Sequence, residues 1–492
     1  MKIIKYLTVI LALIVGITQC KLPDNVNPKR ATSVPVETLF TNAEVALFNM
    51  IDDVNVNRNV LRLYVQYWNE TTYFDESRYL MQDRQIPDNY VTRFYKDVLM
   101  DLKQAKEIVM EDDLGDPDGQ RNKAAILDIL MAQAWLTVVD GFGDLPYTEA
   151  LQKKENTQPV YDDAASIYDA EIANLKAAIN ALGAGSSWGS ADVMYFGDNG
   201  LWKKYGASLL LRVGMRLADV SPDKAKSAVQ AALDAGVYTS EDEAGFLNYV
   251  GVVPHVNAIY NAYVVDNRKD YLPTNTIIDI MGNYDGANYD LGGQDPRIDN
   301  YFTLAPDTNV YIGAVAGLDG AQSYQLFSHF QDVFFEPTFP AMIIDYIEVE
   351  FWLAEAAQRS FPGVSGGAEE HYNNAITASI LYWGGTQDEV DAYLALPGVA
   401  YDAANWKERI GVQKWIALYN RGVEAWAEWK RLDYPILNVP EGMTYNDIPL
   451  RFVYPYNEVL QNKVNYEAAS AKIGGDKVST PLFWDVNPSP AN

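Results

Sequence analysis

The chain has 492 residues, a formal charge of −28 at pH 7, 33 tyrosines, 11 tryptophans and a single cysteine. So acidic a surface repels phosphate backbones, which excludes nucleic acid as a partner. One cysteine excludes a disulfide framework, so stability must come from a hydrophobic core, which a chain of this length is able to build.

Lys2 and Lys5 open the chain, Tyr6 to Val15 is an apolar run, and Gly16-Ile17-Thr18-Gln19 leads to Cys20. A basic start, a short apolar stretch and a small-residue break predict a secretory signal peptide over 1–19. The run is too short to span the ~30 Å hydrocarbon core of a bilayer. A lone cysteine at the end of such a signal reads as a lipidation site, with Cys20 as the new N-terminus, although Ile17 and Gln19 depart from the usual lipobox residues. Lipid on Cys20 would be the sole membrane attachment, since no later segment reads as apolar enough to cross a membrane.

Helical periodicity then dominates. A helix is expected at about 35–52. Phe94, Val98, Leu102, Ala105 and Val109 share one helical face, as do Tyr168, Ile172, Leu175, Ile179 and Leu182. Ala124 to Val139 is apolar nearly all round, which predicts a helix buried among neighbours. Further helices are expected at about 200–218, 222–235, 341–359 and 367–383. Val412, Trp415, Tyr419, Val423 and Trp426 fall on one more helical face. Between about 237 and 340 the periodicity fades and Gly, Asn, Asp, Pro and Tyr take over, which predicts a loop-rich insert with a few short strands. The expected fold is mainly α: a tetratricopeptide-like scaffold of helical hairpins over about 35–236 and 341–435, interrupted by that insert and closed by an irregular segment, 436–492. Element lengths carry this expectation, since no ~34-residue consensus repeats. No linker divides residues 20–492, so they are read as a single domain.

Catalytic and metal motifs are weak. Gly363-Val364-Ser365-Gly366-Gly367 matches the G-x-S-x-G nucleophile pattern but lies between two predicted helices, where the pattern needs a strand before it. His255, His329 and His371 show no metal-ligand spacing. Asp112, Asp113, Asp116, Asp118 and Gly119 look calcium-like but fail the EF-hand register and read as a solvated acidic turn. No pair of carboxylates stands out for glycoside hydrolysis. No cofactor or metal is implied.

Several segments together carry a family resemblance. They include Asp140-Gly141-Phe142-Gly143-Asp144-Leu145-Pro146-Tyr147, Pro159-Val160-Tyr161-Asp162, Leu209-Leu210-Leu211-Arg212 with Met215-Arg216-Leu217, and Asp295-Pro296-Arg297. Near the C-terminus follow Gln413-Lys414-Trp415, Glu424-Ala425-Trp426, Lys430-Arg431-Leu432-Asp433-Tyr434-Pro435, Arg451 with Tyr454-Pro455, and Gly474-Gly475-Asp476 leading to Phe483-Trp484-Asp485. In this order, across nearly the whole chain, they resemble the SusD/RagB-like outer-membrane lipoproteins, specifically their second large branch. Gly206-Ala207 and Lys430 depart from that pattern. Most of these residues read as framework: Gly141 and Gly143 at a helix end, Pro146 blocking its continuation, Asp295 and Arg297 in a turn with a charge partner, Trp415 in the core.

The resemblance implies a surface-exposed lipoprotein of the outer membrane. It captures an oligomeric nutrient, glycan first and oligopeptide second, and delivers it to a SusC-like TonB-dependent transporter. A surface glycosidase and a helical-repeat scaffold are the competing classes. Stacking rings beside amide hydrogen bonders suit a sugar, and two irregular stretches offer them: Trp68, Tyr73, Arg78 and Tyr79, and Asn283, Tyr284, Asn288 and Tyr289. A ligand is expected between these two stretches.

Overall fold

The computed structural model describes residues 34–111 and 115–486. Cys20, the signal segment, Asp112 and Asp113 lie outside the described residues. The helices follow the apolar spacing closely. α1 is Val36–Asp52, α2 is Met100–Glu111 and α3 is Pro117–Phe142. α4 is Ala164–Ala181, α5 is Asn199–Arg216 and α6 is Pro222–Ala235. After the irregular section come α7, Tyr346–Gln358, and α8, Ala368–Tyr382, then α9, Trp406–Ala417, and α10, Gly422–Leu432. Consecutive helices pack as hairpins, α3 on α4, α5 on α6, α7 on α8 and α9 on α10. This is the tetratricopeptide-like arrangement expected from element lengths.

Local chemistry sets the helix ends. Asp116 caps α3 by accepting from the Gly119 amide at 2.9 Å, with Pro117 at the first helical position. At the other end Gly143 takes φ 84°, and its amide closes on the Val139 carbonyl. Asp163 and Asp198 cap α4 and α5 in the same way as Asp116. α3 corrects one expectation: by length and apolarity alone it qualifies for a membrane span. Of its most apolar 18-residue window 83% is buried, so its hydrophobicity serves the protein core.

Two departures are instructive. The face running from Val412 to Trp426 does not belong to one helix. Asn420 adopts φ 70°, and α9 gives way to α10. Gly422 opens α10 because the chain there meets the segment around Leu61: a Cβ at 422 would lie 2.5 Å from the Arg62 amide nitrogen. The predicted helix at 341–359 likewise starts late. Its first residues form β4, Ala341–Met342, which pairs antiparallel with β2, Phe246–Leu247. A second ladder joins β1, Trp68–Glu70, to β3, Tyr271–Pro273, in the register Trp68↔Pro273 and Glu70↔Tyr271. The insert is thus stitched to the N-terminal helical block by backbone hydrogen bonds, and this pairing builds the cleft described below.

The core holds charge as well as apolar side chains. Arg216, 1% exposed, meets Asp140, Glu424 and Glu428. Arg431 bridges Glu355 and Glu428, and Lys414 also reaches Glu428 at 2.8 Å. Burial alone would favour the neutral form of Arg216, but Glu424 and Asp140 outweigh it and hold the guanidinium charged. The Asp295–Arg297 turn forms a fully buried ion pair, with a 2.6 Å contact, completed by Gln413 at 2.9 Å. Trp415 is buried with its indole N–H on the Val65 carbonyl at 3.1 Å. Both features match their reading as framework.

Candidate functional site

A cleft of about 920 Å³ opens where the insert meets the N-terminal block. That volume lies within the range of small-ligand sites. Three stretches line it. Asn49 and Asp53 to Arg58 come from the end of α1 and the turn after it. Glu70 to Tyr73 continue β1, joined by Arg84. Pro254 to Tyr271 contribute Asn261, Asp266, Arg268 and Asp270 from the insert. The β1–β3 ladder brings the second and third stretches together across some two hundred residues of sequence.

Tyr73 is the prominent side chain. It is 57% exposed, and the Arg84 guanidinium stands 5.8 Å from the ring centroid. Glu76, fully buried, holds Arg84 by an ion pair. A cation fixed against one side of an aromatic ring steadies the ring and leaves its other side for a ligand. Beneath it Glu70 accepts from the Ser77 amide at 2.9 Å and hydroxyl at 3.1 Å. Burial, then the neighbouring Glu76, pushes the Glu70 carboxyl up to about 9, so it is neutral at pH 7. Burial also raises Asp53 above the usual carboxylate range, against the opposing pull of Arg58. An exposed ring bordered by amides and paired charges can stack on a sugar face and exchange hydrogen bonds with its hydroxyls.

Of the eight side chains singled out from the sequence, only Tyr73 lines this cleft. Trp68 is 3% exposed, packed against Phe330 and Tyr271, with its indole N–H toward the Tyr419 hydroxyl at 3.3 Å. Tyr79 is buried at φ 65°, and its hydroxyl accepts from Gln66 at 2.9 Å. Arg78 spans two backbone carbonyls, of Gly317 at 2.7 Å and Glu441 at 3.2 Å. Asn283 is the left-handed cap of the helix Asn275–Gly282, and its side-chain oxygen accepts from the Leu291 amide at 2.7 Å. Tyr284 is half-buried, its hydroxyl facing the Tyr311 amide at 3.4 Å. Asn288 donates to the Ile436 carbonyl at 3.0 Å and to Asn438 at 2.8 Å. Tyr289 is buried, its hydroxyl on the Gly398 carbonyl at 2.7 Å. The two stretches do meet, through a junction in which Gln66 links Tyr79 to Asn438 and Asn438 reaches Asn288. That junction is a packed polar seam, separate from the cleft. Its amides satisfy turns and caps.

Asp53-Val54-Asn55-Val56-Asn57-Arg58 lines the cleft without standing out by composition, and its alternating amides are the one local signal it carries. Asn261, Asp266 and Arg268 gave no comparable local signal.

Other sites fare less well. A groove of about 370 Å³ runs between Tyr95, Pro146, Tyr161 and Pro455. The void beside Arg216, about 30 Å³, has room for water but not for a sugar ring. The G-x-S-x-G segment forms a turn between α7 and α8, with no strand before it. Ser365 does lie beside a histidine and a carboxylate, in an arrangement that mimics a triad. His371 Nδ1 meets Glu350 Oε2 at 2.8 Å, but Nε2 meets the Ser365 backbone carbonyl at 2.7 Å, not its hydroxyl. Burial opposes charge on this ring, yet Glu350 and the carbonyl outweigh it and raise its pKa above the ordinary histidine value. With Nδ1 on Glu350 and Nε2 on the Ser365 backbone carbonyl, neither ring nitrogen faces the serine hydroxyl to take its proton. Among the described residues no group of three or more metal-binding side chains assembles.

Comparison with known proteins bears directly on this architecture. Residues 28–455 match the SusD-like family model described as starch-binding and associating with the outer membrane. The chain belongs to the SusD-like family. Its fold also matches solved structures of that family. A chitin-binding protein shares 25% identity at a TM-score of 0.76, over 92% of this chain and all of the other. A SusD homologue from Bacteroides uniformis shares 24% at 0.76, over 91% and 99%. A chitin-binding SusD homologue from Flavobacterium johnsoniae shares 22% at 0.76, over 92% and 99%. A search of curated protein sequences finds no match. The mainly helical SusD-like fold expected from the sequence is therefore the one observed.

Proposed function

We propose that this SusD-like protein is a nutrient-binding lipoprotein of the cell surface. It is anchored through lipid on Cys20, captures an oligosaccharide in the cleft at Tyr73 and passes it to a SusC-like TonB-dependent outer-membrane transporter. The observation that carries the reading is the exposed Tyr73 ring, backed by Arg84, in a large cleft lined by asparagines and paired charges. A pyranose needs an apolar platform and a surround of hydrogen-bonding groups, and this cleft supplies both. The family's description as starch-binding and the chitin-binding relative at 25% identity point to the same ligand class. The triad-like arrangement at Ser365 leaves no imidazole nitrogen free to activate that serine. Screening the purified protein on arrays of immobilised glycans and peptides tests the proposal. Retention on glycans, without cleavage, is expected. Retention on peptides alone would contradict it.

A further inference from the structure

The cleft also carries information about the charge of what it takes. Three cations stand on its walls, and each is already committed. Arg58 pairs with Asp53 at 2.9 Å. Arg268 pairs with Asp270 at 2.7 Å. Arg84 pairs with the buried Glu76. Among the described residues lining the cleft there is no other arginine and no lysine. Lys269, next to Arg268 in sequence, is drawn off over the Tyr324 ring, 5.3 Å from its centroid.

The carboxylates outnumber these cations. Among the described residues the Asp266 carboxylate, on the insert wall, meets the Asn261 amide at 3.1 Å and no cation. An incoming carboxylate or sulfate therefore finds no free cation. To gain one it must displace Asp53 or Asp270 and leave that carboxylate unpaired at the cleft wall, or displace Glu76 and leave it unpaired in the core. The long-range field acts in the same direction, since the chain carries −28 overall and slows the approach of anions.

We infer that the cleft selects oligosaccharides free of acidic groups and discriminates against uronate-containing and sulfated glycans. This rests on the reading of the cleft as a glycan site. Selectivity comes from the pairing of Arg58, Arg84 and Arg268 with resident carboxylates, while stacking on Tyr73 is indifferent to charge.

The test uses the full mature chain and an array of matched glycan pairs, in which each acidic member differs from its neutral partner only by a carboxylate or a sulfate. The best-bound neutral glycan and its acidic partner are then titrated into wild-type protein and Asp270→Asn. Asp270 is half-buried and asparagine matches its shape, so the substitution should leave the fold intact while freeing Arg268. The neutral member should bind wild type at least about tenfold more tightly than its acidic partner. Asp270→Asn should narrow that gap, and the gain should fade with added salt. Equal or tighter binding of acidic members by wild type would overturn the charge selection while leaving the glycan reading in place. A gap unchanged in Asp270→Asn, with neutral binding retained, would overturn the role given to the ion pairs. Absence of binding to every glycan of either kind would overturn the glycan reading itself, and the selection with it.

Discussion

Arg216→Met should lower the unfolding free energy by about 3–5 kcal/mol, the range for removing one partner of a buried charge cluster. Arg216 is 1% exposed and fills the space between α3, α5 and α10. Its guanidinium serves Asp140, Glu424 and Glu428 together and lies against the Trp484 ring at 5.7 Å. Methionine approximates the stem but leaves three carboxylates in the core with fewer cations to face. Lys414 and Arg431 still hold Glu428, and Arg212 still holds Glu424 at 3.4 Å, so the chain should fold, only less stably. Arg216→Lys should recover part of the loss, since it keeps the charge but not the planar fork that reaches three partners. Urea denaturation of the three proteins decides it: the midpoint should fall with little change in slope. A loss below about 1 kcal/mol would mean the cluster adds little beyond packing.

The second large effect separates binding from stability. Tyr73→Ala should weaken oligosaccharide binding by roughly ten- to hundredfold, the cost of truncating a stacking anchor. Its melting temperature should barely move, because the ring is 57% exposed and its loss leaves no cavity. Trp68→Ala is the contrast. That ring sits between Phe330 and Tyr271 with the Arg62 guanidinium 4.9 Å from its centroid, and its removal should cost about 3–5 kcal/mol of stability. Calorimetric titration beside thermal unfolding checks both substitutions. Tyr73→Ala binding as tightly as wild type would remove the cleft from consideration.

Trp68 and Tyr73 also show what the sequence could and could not say. Both are aromatic residues in a polar stretch, and composition treats them alike. Pairing of 68–70 with 271–273 turns the first inward, and the chain leaves the ladder before reaching the second. That partner strand lies in the insert, and no local pattern announces it. The helices were legible because apolar spacing of three and four residues is a local property. Val412 to Trp426 misled for a long-range reason: the break at Asn420 accompanies a close approach of Gly422 to Leu61 and Arg62. The asparagines at 283 and 288 are ambiguous in the sequence because caps, turns and sugars all use the same amide groups. Asn283 holds a left-handed helix cap, and Asn288 ties the loop to Ile436 and Asn438.

The proposed function places an oligosaccharide in the cleft between the turn after α1, the end of β1 and the insert. A crystal structure of the protein soaked with its best-bound array glycan addresses it most directly. A sugar ring is expected on Tyr73, opposite Arg84, with hydroxyls bonded to side chains among Asn55, Asn57, Asn261 and Asp266. A sugar seated instead in the groove between Tyr95, Pro146 and Tyr161, with the Tyr73 cleft unfilled, would contradict it.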